Sequence, residues 1–138
     1  MKLAQSKIDK KVWLAQLNKI GVDKKWLLSI SNQRNTNFHS LDILSSDVER
    51  MQIGACSFTQ FNDIIDCSIF IFPEYRRKGY AKKYVTDLIS NFVNIQFTVS
   101  KYNSNSLRLF ETIAILKKSE INTRTRTYRF TKISGLCT

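Results

Sequence analysis

A chain of 138 residues makes one ordinary domain, spanning 1–138, and its 43% hydrophobic and 12% aromatic content excludes a disordered or fibrous polypeptide. No apolar run reaches the roughly 18 residues of a membrane span, and the opening MKLAQSKIDKK turns polar too early for a secretory signal, so a cytoplasmic protein with no membrane partner is expected. The net charge of +11 is uneven: residues 26 to 72 hold two cations against five anions, a net of −3, and the rest holds 20 against 6, a net of +14. That asymmetry suggests an anion met by the C-terminal half and a cation met by the middle, unless it is only a set of solvated faces. The three cysteines (Cys56, Cys67, Cys137) show no CxxC spacing, which argues against a disulfide framework and a zinc site; no metal is expected.

In chain order, KLAQ reads as a short strand, and SKIDKKVWLAQLNKIG as a helix. Trp13, Leu17 and Ile20 share one face of it, Ser6 or Asp9 can cap its start, and Gly21 can close it. DKKWLLSIS fits a strand or a second short helix, the latter favoured by Asp23 as a cap. From residue 37 the period falls to two: a weak alternation through Phe38, Leu41 and Ile43 precedes MQIGACSFTQ and IIDCSIFIF, two antiparallel strands separated by the polar QFND. After Pro73 a helical stripe returns, carried by Tyr80, Ala81, Tyr84, Val85, Leu88, Ile89 and Phe92. IQFTVS is a buried-strand candidate, NSNSLRLFETI a helix with polar capping residues, and AILKKSEINTRTRTYRFTKI a closing hairpin. This order implies an α+β or mixed α/β sandwich around one twisted sheet.

The joint FPEYRRKGYA is where chemistry is expected. A helix N-terminus leaves backbone N–H groups unpaired and favours anions. Gly79 lets the chain curl so that several N–H groups converge, Ala81 permits close approach, and Arg76, Arg77 and Lys78 add positive charge suited to a pyrophosphate. Neither GxxxxGK[ST] nor GxGxxG occurs, so an ATPase or a nicotinamide enzyme is not expected. From the loop alone, a solvated basic turn and a nucleic-acid patch stay open.

The pattern R-x-x-G-x-A after a strand, with an amphipathic helix behind it, resembles the acyl-CoA motif Q/R-x-x-G-x-G/A of the Gcn5-related N-acetyltransferase (GNAT) family, with Arg76, Gly79 and Ala81 at the fixed positions. Downstream, FTVSKYNSNSLRLFETIAI resembles the second family motif through Val99, Asn103, Ser106, Leu109, Phe110 and Glu111. The resemblance covers residues 64 to 116 and agrees in pattern only over the N-terminal third. It implies an acyl-CoA N-acyltransferase fold with a central mixed, mostly antiparallel twisted sheet flanked by helices. It also implies acetyl-CoA as the acyl donor and direct attack by an amine, either a small molecule or peptide-borne.

Carried onto this chain, the resemblance implies that SIFIF and IQFTVS run as splayed parallel neighbours, with the backbone of Ile69, Phe70 and Ile71 bonding the pantetheine arm. The N–H groups of Arg77, Lys78, Gly79, Tyr80, Ala81 and Lys82 would hold the pyrophosphate, and Asn103 would bond the arm or brace the next loop, with Ser106 and Phe110 beside the cofactor. The chain departs from the family in Ala114-Ile115, where GF is usual, and in Phe110, where many members carry a tyrosine acting as general acid; Tyr102 is a candidate replacement. A base must take the amine proton, and Asp66, helped by Asp63, or His39 is the candidate, unless these simply solvate a strand end. TRTRTYRF places Arg124, Arg126 and Tyr128 on one strand face, either solvated or facing RNA or an acidic partner. Degenerate acyl-CoA binding without turnover, a nucleic-acid module and a homodimer remain alternatives.

Overall fold

In the computed structural model, residues 2–45, 49–100, 103–113, 116–122 and 127–132 are described. The elements run β1 (Lys2–Lys7), α1 (Lys10–Lys19), α2 (Lys24–Ser31), β2 (Thr36–Leu44), β3 (Arg50–Phe61), β4 (Ile64–Ile71), a 3-10 turn (Pro73–Tyr75), α3 (Tyr80–Asn91), β5 (Ile95–Ser100), α4 (Ser104–Glu111), β6 (Leu116–Asn122) and β7 (Thr127–Lys132).

Helix ends follow local chemistry. Asp9 caps α1 by accepting from the Lys11 N–H, and α1 ends when Gly21 turns left-handed (φ +82°), so that Gly21 N–H and Val22 N–H return to the carbonyls of Asn18 and Leu17 at 3.1 and 3.2 Å. Asp23 caps α2 by accepting from Trp26 N–H at 3.2 Å, so DKKWLLSIS is the helix and not the strand. The two helices bury Trp13, Leu17, Leu27 and Ile30 against Phe38 and Ala55 of the sheet. Each such side chain taken from water stabilises the fold by about 1.5–3 kcal/mol. Trp13 also donates Nε1–H to the Cys56 carbonyl at 3.0 Å, which satisfies its one polar atom.

The seven strands form one sheet in the order β1-β2-β3-β4-β5-β7-β6, antiparallel throughout except for β4 beside β5. Both expected hairpins form: β3 and β4 turn at Asn62 (φ +51°), and β6 pairs with β7. The opposite sheet face is covered by α3 and α4. Val85, Leu88 and Ile89 pack with Cys67, Ile95, Phe97, Phe110 and Phe130, while Tyr84 packs with Leu41, Ile43, Ile53, Cys56 and Ile71. Both cysteines in these clusters are buried free thiols, and burial pushes their ionisation upward, so neither is a nucleophile at neutral pH.

Register slips once between β2 and β3. Leu41 faces Gly54 but Asp42 faces Gln52, which leaves Ile53 as the extra residue of a bulge. Next to that bulge the β3 and β4 backbones come unusually close: a Cβ on Gly54 would meet the Phe70 carbonyl oxygen at 2.2 Å. Gly54→Ala therefore forces β4 outward. The expected result is a loss of about 1–3 kcal/mol in denaturant melts, together with weaker binding of any ligand held by the Phe70–Ile71 backbone.

Candidate active site

The loop after β4 is built from the backbone outward. Phe72 N–H bonds to the Ile53 carbonyl at 2.8 Å, and the 3-10 turn closes through Tyr75 N–H to Phe72 and Arg76 N–H to Pro73. The Arg76 side chain folds back, its Nε–H donating to the Ile71 carbonyl at 3.0 Å, so it braces the loop rather than pointing wholly into solvent. Arg77 (φ +63°) and Gly79 (φ +82°) then both adopt left-handed conformations, and α3 starts with Lys83 N–H bonded to the Gly79 carbonyl at 3.1 Å. Among the described residues, no hydrogen bond is donated by the six consecutive N–H groups from Arg77 to Lys82. The other three helices are capped by Asp9, Asp23 and Asn103, whereas α3 has no side-chain cap. Two left-handed residues bracketing Lys78 at a helix N-terminus form a concavity of amides suited to an anion.

Beside this loop the sheet opens. β4 and β5 pair at Ile65–Ile95, Asp66–Gln96 and Cys67–Phe97, and no later pair is in register although both strands continue, to Ile71 and Ser100. The outer side of each strand stays paired, β4 with β3 and β5 with β7, so the gap is held open by its flanks. Its closed end lies about 13 Å from the loop, four residues at about 3.3 Å each. One residue before that end, Asp66 accepts a 3.0 Å hydrogen bond from Thr98 Oγ1 across the two strands. Burial raises the Asp66 carboxyl above the usual carboxylate range, opposed by bonds from Thr98 and Gln96 and by the charge of Arg129. By strand alternation Asp66 shares a sheet face with Ser68 and Phe70, and Phe70 packs on Trp13 of α1, so this carboxylate lies on the face opposite α3.

The remaining predicted site residues separate. Ile69, Phe70 and Ile71 line the open stretch of β4, and Tyr80, Ala81 and Lys82 form the first turn of α3. Asn103 is committed in part as a cap, its Oδ1 accepting from Ser106 N–H at 3.2 Å, which leaves its amide hydrogens for another acceptor. Phe110 is not presented to the gap: it is 6% exposed and sits between Phe97 and Phe130, with ring centroids 5.0 and 5.3 Å away. His39 is not brought to the gap either, lying on β2, two strands from β4, with its ring edge-on to Phe58; burial and Lys7 lower its pKa. Asp63 lies in the β3–β4 turn, exposed. Tyr102, Arg124, Arg126 and the Ala114-Ile115 pair fall outside the described residues, and Tyr128 packs partly into the aromatic cluster under α4.

Sequence reading missed two contacts. The Tyr84 hydroxyl of α3 lies 2.6 Å from the Ala4 carbonyl and 2.7 Å from that of Asp42, pinning the helix to β1 and β2. Asp42 itself is buried and ion-paired to Arg50 at 3.3 Å, with Ser40 donating at 3.0 Å. In sequence both residues look ordinary, one on an apolar stripe and one in an acidic region.

No protein-family model and no curated protein matches the chain. Solved structures do match in shape. A domain from Methanocaldococcus jannaschii DSM 2661 superposes with TM-score 0.69 at 14% identity, covering 94% of this chain and 97% of that one. The spermidine N-acetyltransferase of Vibrio cholerae in complex with CoA and spermine gives 0.62 at 14% identity, covering 95% and 94%, and its dodecameric form 0.64 at 16%, covering 95% and 93%. The chain has the GNAT acyltransferase fold. Within the GNAT fold, the parallel pair, its open end and the uncapped helix all occur at the motif positions named above. Among the described residues, no helix is long and apolar enough to cross a membrane, and no three His, Cys, Asp or Glu side chains cluster for a metal.

Two substitutions test this geometry. A raised carboxyl favours folding below its unfolded pKa and loses that advantage as pH climbs through the folded value. Asp66→Asn, which carries no charge to desolvate, should therefore melt higher than the parent at pH 8, by a margin that shrinks towards pH 4; an unchanged margin across that range would mean that the carboxyl is not desolvated. Phe110→Tyr places a hydroxyl in the buried cluster beside the Phe97 and Phe130 rings. It should lower stability by about 1–3 kcal/mol in denaturant melts, with no gain in turnover.

Proposed function

We propose that the protein moves a short acyl group, acetyl in the first instance, from coenzyme A to a primary amine. The observation that carries this reading is the run of six unpaired amides at the uncapped start of α3, directly above a gap between parallel strands. The Vibrio cholerae neighbour's complex with CoA supports the same donor here. In this reading the amides from Arg77 to Lys82 hold the pyrophosphate, with exposed Lys78, Lys82 and Lys83 adding screened positive charge. The Ile69–Ile71 backbone bonds the pantetheine arm, and Asn103 offers its free amide hydrogens to the arm.

The chemistry then takes place at the closed end of the gap. A neutral amine attacks the thioester carbonyl, an N–C bond forms, and the C–S bond breaks to give an amide and the coenzyme A thiolate. The amine loses a proton to Asp66 directly or through water, and the thiolate takes one from solvent or from Tyr102. An alkylamine titrates near 10.4, so a base is needed at neutral pH; a carboxyl raised by burial holds that proton better than an exposed one. With the chemistry at the closed end, the candidate for the developing oxyanion is a β4 backbone N–H next to Cys67 rather than one near Ile71, about 13 Å away; such an interaction is typically worth about 3 kcal/mol.

Acyl-CoA binding without turnover is the second reading, favoured by one observation: Phe110 lies in the core and supplies no acid. The two readings separate in one assay. Millimolar acetyl-CoA should raise the melting temperature in both. Only the first expects free thiol to appear when amines are added, with Asp66→Asn slowing release by about 10²–10⁴. Gly79→Ala, forced into φ +82°, should weaken acetyl-CoA binding about tenfold, in keeping with the roughly 1–2 kcal/mol cost of a left-handed non-glycine residue. No thermal shift with acetyl-CoA would remove both readings.

A further inference from the structure

On the sheet face opposite α3, a depression of about 350 Å³ is lined by Phe61, Asn62, Asp63 and Ile64 of the β3–β4 turn, Gln96 of β5 and Arg129 of β7. Its chemistry is bipolar. The Arg129 guanidinium interacts electrostatically with the Asp66 carboxyl, and its Nε atom is buried without a hydrogen-bond partner among the described residues. A buried donor in that state is destabilising until an acceptor reaches it. Arg129 pairs across the ladder with Thr98, whose hydroxyl is already given to Asp66, so the guanidinium and the Asp66 carboxylate flank β5 on one sheet face. Gln96, between them, lines the depression and bonds to Asp66 as well. The guanidinium therefore ends in the cavity while the carboxylate stands behind it, at the closed end of the strand gap.

This arrangement selects among ligands. Arg129 disfavours a second cationic group placed beside it, and Asp63 on the rim with Asp66 behind disfavours a phosphate dianion. A compound carrying one carboxylate and one amine in a short chain satisfies both ends. We propose that the depression anchors the acyl acceptor by its carboxylate on Arg129, with the Asn62 and Gln96 amides beside it, and turns the acceptor's amine towards Asp66. The acceptor is then a small amino-carboxylate of amino-acid type, in contrast to the spermidine named for the Vibrio cholerae neighbours. The anion site stands on its own geometry, whereas its role in acceptor binding rests on the acyl-transfer reading above.

The test keeps the two apart. In protein labelled with ¹⁵N-arginine, the Arg129 Nε–H resonance is assigned by its loss in Arg129→Lys, then followed while glycine, 4-aminobutanoate, 5-aminopentanoate, butylamine or spermidine is added at millimolar concentration. At least one amino-carboxylate should shift it, and butylamine and spermidine should not. In thiol release with acetyl-CoA, the same amino-carboxylate should outrun spermidine in kcat/KM, and Arg129→Gln should raise its KM at least tenfold while the acetyl-CoA thermal shift stays put. An Arg129 resonance unmoved by all three amino-carboxylates overturns the site even if acetyl-CoA is turned over. A resonance that moves equally with butylamine overturns the carboxylate assignment, and spermidine outrunning every amino-carboxylate overturns the acceptor class. If amino-carboxylates move the resonance but acetyl-CoA produces no thermal shift, the anion site stands and acyl transfer falls.

Discussion

Everything else in this molecule depends on a single pairing that stops early. β4 and β5 are the only parallel neighbours among the described strands, and three residue pairs hold them before they part. Parallel strands need a crossover, and here α3 is that crossover, so its N-terminus lies at the end of β4 where the strands have separated. The coincidence of an open edge and a positive helix end is thus a consequence of connectivity. Gly79 and Arg77 add left-handed turns to it, and beside the bulge at Ile53 the missing Cβ of Gly54 lets β3 lie close against the Phe70 carbonyl of β4.

The same connectivity explains how much could be read beforehand. The strand, loop and helix around Gly79 were legible because a local pattern of period two, then glycine, then period 3.6 is written in adjacent residues. The parting of β4 from β5 followed from the GNAT resemblance alone. Asp66 could be picked as an acid on the right strand. That it stands at the closed end and is held by Thr98, 32 residues on, depends on sheet order, which no local pattern encodes. His39 illustrates the reverse: chemically apt, it was carried two strands away by the same order. Arg129 was hidden by parity. In TRTRTYRF the eye follows the alternation through 124, 126 and 128, and Arg129 falls between Tyr128 and Phe130, on the side of β7 opposite to both.

Phe110 marks where a motif and a core compete for one position. The helical stripe of α4 aims it at the sheet, and the rings of Phe97 and Phe130 close around it, so the residue serves packing first. In the acyl-transfer reading, proton supply to the leaving thiolate would then be left to solvent or to a side chain other than Phe110. Since a thiol of this kind titrates near 8.5, departure without a dedicated acid is slower but not forbidden.

The Tyr84 hydroxyl has one proton and two carbonyls within 2.7 Å, one on β1 and one on β2. It links the helix that begins at the amide concavity to the far edge of the sheet, 80 residues earlier in the chain. The edge strand and the loop before α3 are therefore two ends of one lever. Coupling of this sort is reciprocal: an anion bound in the proposed site would, in steadying the start of α3, also steady β1 on β2, and loosening the N-terminal strand would loosen that grip.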